Sequence, residues 1–114
     1  MRITKFLVFI MILFNLSFLS VVYAETNIEG SNLTGASLKN CGLSGVNFKN
    51  AILRDVNFQG ANLSNTNFRL SILRGSDFRN ANLQGADLSS CDLSDCNFEG
   101  ANLSGAKISG SNLQ

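Results

Sequence analysis

The side chains that could do chemistry in this sequence are three cysteines and a few aspartates, because the chain contains no histidine. Histidine is the most frequent general base in enzymes and the most frequent metal ligand in proteins. Cys41, Cys91 and Cys96 could serve as nucleophiles, but nothing in the sequence pairs them with a general base. The composition therefore argues against an enzyme, and we predict no catalytic residue, no cofactor and no metal site.

The cysteines are separated by multiples of five residues, and each stands at a position that otherwise holds a small residue. This placement predicts that they replace alanine as small core side chains. Their odd number leaves two alternatives open, a reactive thiol and an intermolecular disulfide, and a disulfide within the chain is possible but not favoured. Cys91 and Cys96 lie close enough for a disulfide, whereas Cys41 is too far along the repeat to reach either of them.

Asp77, Asp87 and Asp92 also share one position of the five-residue unit, where asparagine is the usual residue. Asp and Asn side chains bond to the backbone at turns, so we predict that these three aspartates stabilise corners of the chain. A metal site is the alternative, but no cluster of oxygen ligands with a typical spacing supports it.

These positions belong to a five-residue repeat that runs without interruption from Thr26 to the end of the sequence. Every fifth residue from Ile28 to Leu113 is Leu, Phe or Ile, and the residue two positions earlier is Ala, Ser, Thr, Cys or Val. The residue directly before the large one is mostly Asn or Asp. Two positions after the large residue stands Gly, Asn or Asp, with Leu70 and Ser90 as the exceptions.

A period of five residues fits neither an α-helix nor a flat strand, so the chain must turn a corner in each unit. Gly, Asn and Asp tolerate the backbone conformations that such corners require. A second period of twenty residues relates 48–54 to 68–74, and the same interval separates Phe58, Phe78 and Phe98. This second period predicts that four units complete one coil. Residues twenty apart are then expected to stack at about 4.8 Å.

The repeat resembles the pentapeptide-repeat family, whose unit is a small residue, Asp or Asn, Leu or Phe, and two variable residues. Ala61-Asn62-Leu63-Ser64-Asn65 matches this unit throughout, as do 81–85 and 101–105. The resemblance implies an all-β fold, a right-handed quadrilateral β-helix with the small and the large residue pointing inward. Residues 25–114 would form about 4.5 coils of this solenoid.

Residues 1–24 have the three parts of a secretory signal peptide, which we expect to be helical. Arg2 and Lys5 precede an apolar run over 6–19, and residues 22–24 place Val and Ala three and one before a cleavage site. The run is short for a membrane span, which needs about 20 residues. We therefore predict export to the periplasm or the cell exterior. The alternative is that the segment is kept as an N-terminal anchor.

Without the predicted signal peptide, seven of the nine Lys and Arg remain beside eight Asp and Glu, a net charge of −1. We predict a non-enzymatic structural or protein-interaction module that does not span the membrane and binds an unknown protein or an anionic component of the envelope. The alternative is a nucleic-acid mimic, as in gyrase-binding members of the quinolone-resistance type. Such a mimic needs a strongly acidic surface in the cytoplasm, so export and a near-neutral charge disfavour it. No nucleic acid is expected as a partner.

A contact surface is predicted where the repeat departs from its own pattern, since such departures often mark functional positions. Ile52 and Ile72 replace the polar residue, and Leu70 replaces the corner Gly or Asn. Basic residues twenty apart stand beside them. We define the basic–apolar patch as Lys49, Ile52, Arg54, Arg69, Leu70, Ile72 and Arg74. Neutral drift is the alternative, with Asp55 partly neutralising the arginines.

A second contact is predicted at the last coil, because an open coil exposes apolar core and unpaired backbone. The pattern continues in register to Gln114. Members of the resembled family often dimerise through this end. Leu103, Ile108 and Leu113 would then lie near a contact with a second copy or with another partner.

Overall fold

Single-residue parallel bridges between positions twenty apart build the fold in the computed structural model, which describes residues 27–114. The bridges run from Asn27↔Asn47 to Asp92↔Asn112, one in every five-residue unit. Residues 27–114 contain neither a helix nor an extended strand, because the chain turns immediately after each bridged segment. The predicted period of twenty is therefore present, with strands reduced to isolated bridges. The predicted signal peptide, residues 1–24, lies outside the described residues.

Each unit ends in a β-turn from its large central residue to the small residue of the next unit. In one such turn, the Ala51 backbone N–H donates to the Phe48 carbonyl at 3.0 Å. The third residue of the turn has positive φ, as at Asn50 (60°) and Gly75 (77°). Type II turns require this conformation, which explains why the corner position selects Gly, Asn and Asp.

Four units complete one coil, so the central residues form four ladders, which we name walls A to D in chain order. Wall A carries Ile28, Phe48, Phe68, Leu88 and Ile108. Wall B carries Leu33, Leu53, Leu73, Leu93 and Leu113. Wall C carries Leu38, Phe58, Phe78 and Phe98, and wall D carries Leu43, Leu63, Leu83 and Leu103.

Phenylalanine rings from the opposite walls A and C fill the middle of the core. The rings of Phe48 and Phe68 stack with centroids 4.9 Å apart, and Phe78 stacks between Phe58 and Phe98 at 5.0 Å on each side. Rings of the two walls meet edge to face at 5.8–6.1 Å. Both arrangements are favourable for aromatic quadrupoles, so the ladders bind the coils to one another.

Small residues with a polar atom add hydrogen bonds between coils. The Ser76 hydroxyl donates to the Leu53 carbonyl at 2.6 Å and accepts from the Val56 N–H at 3.1 Å. The hydroxyl therefore bridges the Val56 N–H and the Leu53 carbonyl, and it replaces the direct hydrogen bond that closes the turn in other units. The thiols of Cys91 and Cys96 donate in the same direction, to the carbonyls of Phe68 (2.9 Å) and Leu73 (3.0 Å).

All three cysteines are free, so the Cys91–Cys96 disulfide left open by the sequence is not formed. Burial raises the pKa of the thiols of Cys41 and Cys91, and it raises the pKa of Cys96 to about 11. The nucleophilic thiolate is therefore scarce at neutral pH. The cysteines are small core residues, as the repeat position predicts, and two of them are also hydrogen-bond donors.

The last coil leaves its central side chains open, in contrast to the middle of the rod. Leu103, Ile108 and Leu113 are 40%, 47% and 59% exposed, whereas Phe78 and Leu83 are fully buried.

Residues 27–114 include no helix that is both long enough and apolar enough to cross a membrane.

Candidate binding surface

The basic–apolar patch lies around one corner of the rod, where wall A turns into wall B. Lys49 and Arg69 directly follow the central residues of wall A, and Leu70 is the corner residue that comes next. On wall B, Ile52 and Ile72 form a parallel bridge and are half-buried. Arg54 and Arg74 directly follow the central residues of wall B. The patch therefore lies within the equivalent segments 49–54 and 69–74 of two adjacent coils.

Leu70 holds a backbone conformation that leucine disfavours. Its φ is 64°, matching the corner residues above and below it, Asn50 (60°) and Ser90 (56°). A left-handed conformation costs a residue with a Cβ roughly 1–2 kcal/mol, and less for Asn. The Leu70 side chain is also 44% exposed, so little burial offsets this strain. Strained residues of this kind are frequent at binding sites.

Ile52 and Ile72 forgo a hydrogen bond that most units make. At thirteen of eighteen equivalent positions, an Asn or Asp Oδ1 accepts the backbone N–H two residues later. Isoleucine has no acceptor, so the N–H groups of Arg54 and Arg74 lose this partner. A typical hydrogen bond contributes about 0.5–1.5 kcal/mol. The two isoleucines thus give up local stability and leave apolar surface on the wall.

The arginine charges are compensated differently from the sequence-based interpretation. Arg74 Nε lies 3.4 Å from the Asp95 Oδ2, and both side chains are largely exposed, which makes the ion pair weak. Asp55 instead lies against the next coil, where a Cβ on Gly75 would overlap its Oδ1. The other ion pair within residues 27–114 joins Arg79 and Asp77 on wall C. Within these residues, Lys49, Arg54 and Arg69 therefore form no ion pair.

Two acidic side chains, Asp87 and Asp92, border the patch on the following coil. Hydrogen bonds from Ser94, followed by the charges of Arg74 and Arg54, lower the pKa of Asp92. Partial desolvation raises the pKa of Asp87, but hydrogen bonds from Ser89 and nearby positive charges outweigh it, so the net pKa is lowered. Both carboxylates are thus ionised at neutral pH. Asp87 and Asp92 therefore place negative charge beside the cations of the patch, and Glu29 does the same one coil before Lys49.

The three aspartates singled out in the sequence stabilise the turns from the position directly before the central residue, as predicted. The Oδ1 atoms of Asp77, Asp87 and Asp92 accept backbone N–H groups at 3.0–3.1 Å. In the part of the chain that the structure describes, no group of three His, Cys, Asp or Glu side chains could hold a metal ion.

The sequence analysis did not predict that the thiols of Cys91 and Cys96 donate hydrogen bonds to backbone carbonyls. The serines at the same unit position were a signal for this role.

Comparison with known proteins gives a family match over residues 31–108, to the family described as pentapeptide repeat region. Among curated protein sequences no significant match is found. A pentapeptide repeat protein (Rfr23) from the cyanobacterium Cyanothece 51142 is similar in structure, with a TM-score of 0.76 and 32% identity over 77% of this chain. A pentapeptide repeat protein from the Arabidopsis thaliana thylakoid lumen has a TM-score of 0.60 and 30% identity over 75% of this chain.

A third structure is HetL from Nostoc sp. PCC 7120, a pentapeptide repeat protein involved in heterocyst differentiation regulation. It has a TM-score of 0.50 and 29% identity over 76% of this chain. The chain spans 60%, 52% and 40% of the lengths of these three proteins. Proteins of the matched family form right-handed β-helices and are generally non-enzymatic structural modules. The predicted resemblance is confirmed, and the chain belongs to the pentapeptide-repeat family.

Proposed function

We propose that this protein is an exported, non-enzymatic binding module of the cell envelope, which contacts an anionic component through the basic–apolar patch. The observation that carries the proposal is the concentration of locally unfavourable choices on one corner. Leu70 is strained and exposed, and Ile52 and Ile72 replace residues that would have formed hydrogen bonds. The flanking cations give this apolar surface a preference for negatively charged partners.

Export rests on the sequence of residues 1–24 and predicts a defined N-terminus. A signal peptidase that recognises the small residues before Glu25 is expected to cut after Ala24. Intact mass spectrometry of the protein recovered from its native envelope should therefore give a chain that begins at Glu25. A mass that includes Met1 would favour the retained anchor and would contradict cleavage.

Charge reversal on wall B tests the patch. We expect Arg54→Glu with Arg74→Glu to leave the fold intact, because both side chains are exposed. The variant should lose most of the binding to isolated envelopes that the parent protein shows in a sedimentation assay, because like charges would then face each other across the contact.

The matched control is Lys39→Glu with Arg79→Glu, which changes the net charge equally at the same unit position of wall C. This control should bind as the parent does. Equal binding by the wall B variant and the parent would show that the patch is surface drift, and the proposed function would then fail.

The charge distribution of the protein gives no support to the predicted alternative of a nucleic-acid mimic. A nucleic-acid mimic needs a dense negative field, whereas the acidic and basic side chains of this protein are nearly balanced. Self-association through Leu103, Ile108 and Leu113 stays a prediction; their exposure would suit a contact that covers the last coil.

A further inference from the structure

We propose that the anionic component is the surface of a phospholipid bilayer, and that Leu70 inserts into it as an apolar tip. This inference rests on the proposed function and names the partner of the same patch.

Leu70 is an exposed apolar side chain at a corner of the rod. Leu70 stands at the third residue of a turn with positive φ, and its side chain is 44% exposed at the edge between two walls. A protein partner would have to supply a matching concave pocket to desolvate such a tip. A fluid lipid interface accommodates a protruding apolar side chain without any preformed pocket. The shape therefore favours lipid over an acidic protein.

The cations are placed to reach phosphates on both sides of the tip. Lys49 and Arg69 precede the corner on wall A, and Arg54 lies beyond the isoleucines on wall B. Long basic side chains extend their charges to the headgroup level while shorter apolar groups face the acyl boundary. Each such cation strengthens binding to an anionic membrane roughly fivefold.

Acidic side chains on both sides of the patch limit the contact to its two coils. Glu29 lies one coil before Lys49 on wall A, and Asp87, Asp92 and Asp95 lie one coil after the patch, so an anionic surface repels the rod on either side of the patch. Bound protein would therefore contact the lipid through the corner that carries 49–54 and 69–74. Wall C, opposite wall A, would stay in solution.

Vesicle binding tests the charge requirement at physiological ionic strength, with the exported form of the protein that begins at Glu25. The probes are vesicles of phosphatidylglycerol with phosphatidylcholine, and vesicles of phosphatidylcholine alone. Lys49→Gln with Arg69→Gln is expected to weaken binding to the anionic vesicles roughly 30-fold. The control Lys39→Gln with Arg79→Gln, on wall C, should change it less than about twofold, because charges far from the contact are screened.

Fluorescence tests whether Leu70 itself enters the lipid. The chain has no tryptophan, so Leu70→Trp introduces a single reporter. We expect its emission to shift to shorter wavelength with anionic vesicles and to be quenched by brominated acyl chains. Gln84→Trp, at an exposed position of wall D, should show neither effect. Leu70→Asn should make the fold more stable and yet bind lipid several-fold more weakly. If Leu70 had only a structural role, the gain in stability would not be accompanied by a loss of lipid affinity.

Two results would overturn the lipid proposal. One is unchanged emission of Leu70→Trp with anionic vesicles, and the other is equal loss of affinity in the wall A and wall C variants. If envelope binding depends on Arg54 and Arg74 but is displaced by polyglutamate and not by vesicles, the partner is an acidic protein. The lipid proposal then fails while the binding function stands.

Discussion

Replacement of Phe78 by alanine is expected to lower the free energy of unfolding by about 3–5 kcal/mol. The Phe78 ring is fully buried, stacks at 5.0 Å on the rings of Phe58 and Phe98, and meets the edge of Phe68 at 6.1 Å. Alanine would remove contacts to three rings and leave a cavity that the coils cannot close, because hydrogen bonds on every wall fix their spacing. Equilibrium unfolding in guanidinium chloride, followed by circular dichroism, measures the loss.

Phe78→Leu is the matched control, since leucine fills the central position on walls B and D. It keeps the site apolar and loses only the difference in volume and the ring stacking, about 1–2 kcal/mol. Equal losses for the two variants would mean that the ring does not lie in the ladder between Phe58 and Phe98.

The sequence predicts the ladders well because stacking imposes a strict period. Residues twenty apart occupy the same place in successive coils, so the spacing of Phe58, Phe78 and Phe98 is sufficient to expect a ring stack. The hydrogen bonds of the small position could not be predicted in the same way. Ser76 and Cys96 are suitable in size, but whether their polar atoms point to a carbonyl depends on how one coil is rotated over the next.

The candidate surface is predictable only in part, for a related reason. Ile52, Ile72 and Leu70 are visible in the sequence because each breaks a rule that its neighbours obey. The partner of Arg74 is not visible, because Asp55 and Asp95 both lie at corners of wall B and the sequence does not give side-chain directions. In the structure, Asp55 lies against Gly75 and Asp95 reaches the arginine.

The second large loss of stability is expected at Ala81, which occupies the small-residue position of a wall D unit. Ala81→Leu is expected to destabilise the protein by about 2–3 kcal/mol, because a larger side chain must force apart a filled interior. Ala81 is 1% exposed, its N–H donates to the Phe78 carbonyl at 3.0 Å, and its carbonyl accepts from Asn102 at 2.9 Å. The backbone therefore cannot move outward without breaking bonds to its own turn and to the next coil. The change is measured by the same guanidinium titration.

Ala101 supplies the control, because it stacks on Ala81 in the same ladder but is only half-buried in the last coil. Ala101→Leu should cost less than about 1 kcal/mol, since surfaces away from the core tolerate added volume. Ala81→Val should fall between the two, because Val46 and Val56 are fully accommodated at the same unit position on walls A and C. If leucine at 81 and at 101 proved equally harmless, the restriction to small residues would not come from the width of the interior. A large penalty at 81 alone would show that the wall spacing, set by the bridges every twenty residues, selects the small residue in each unit.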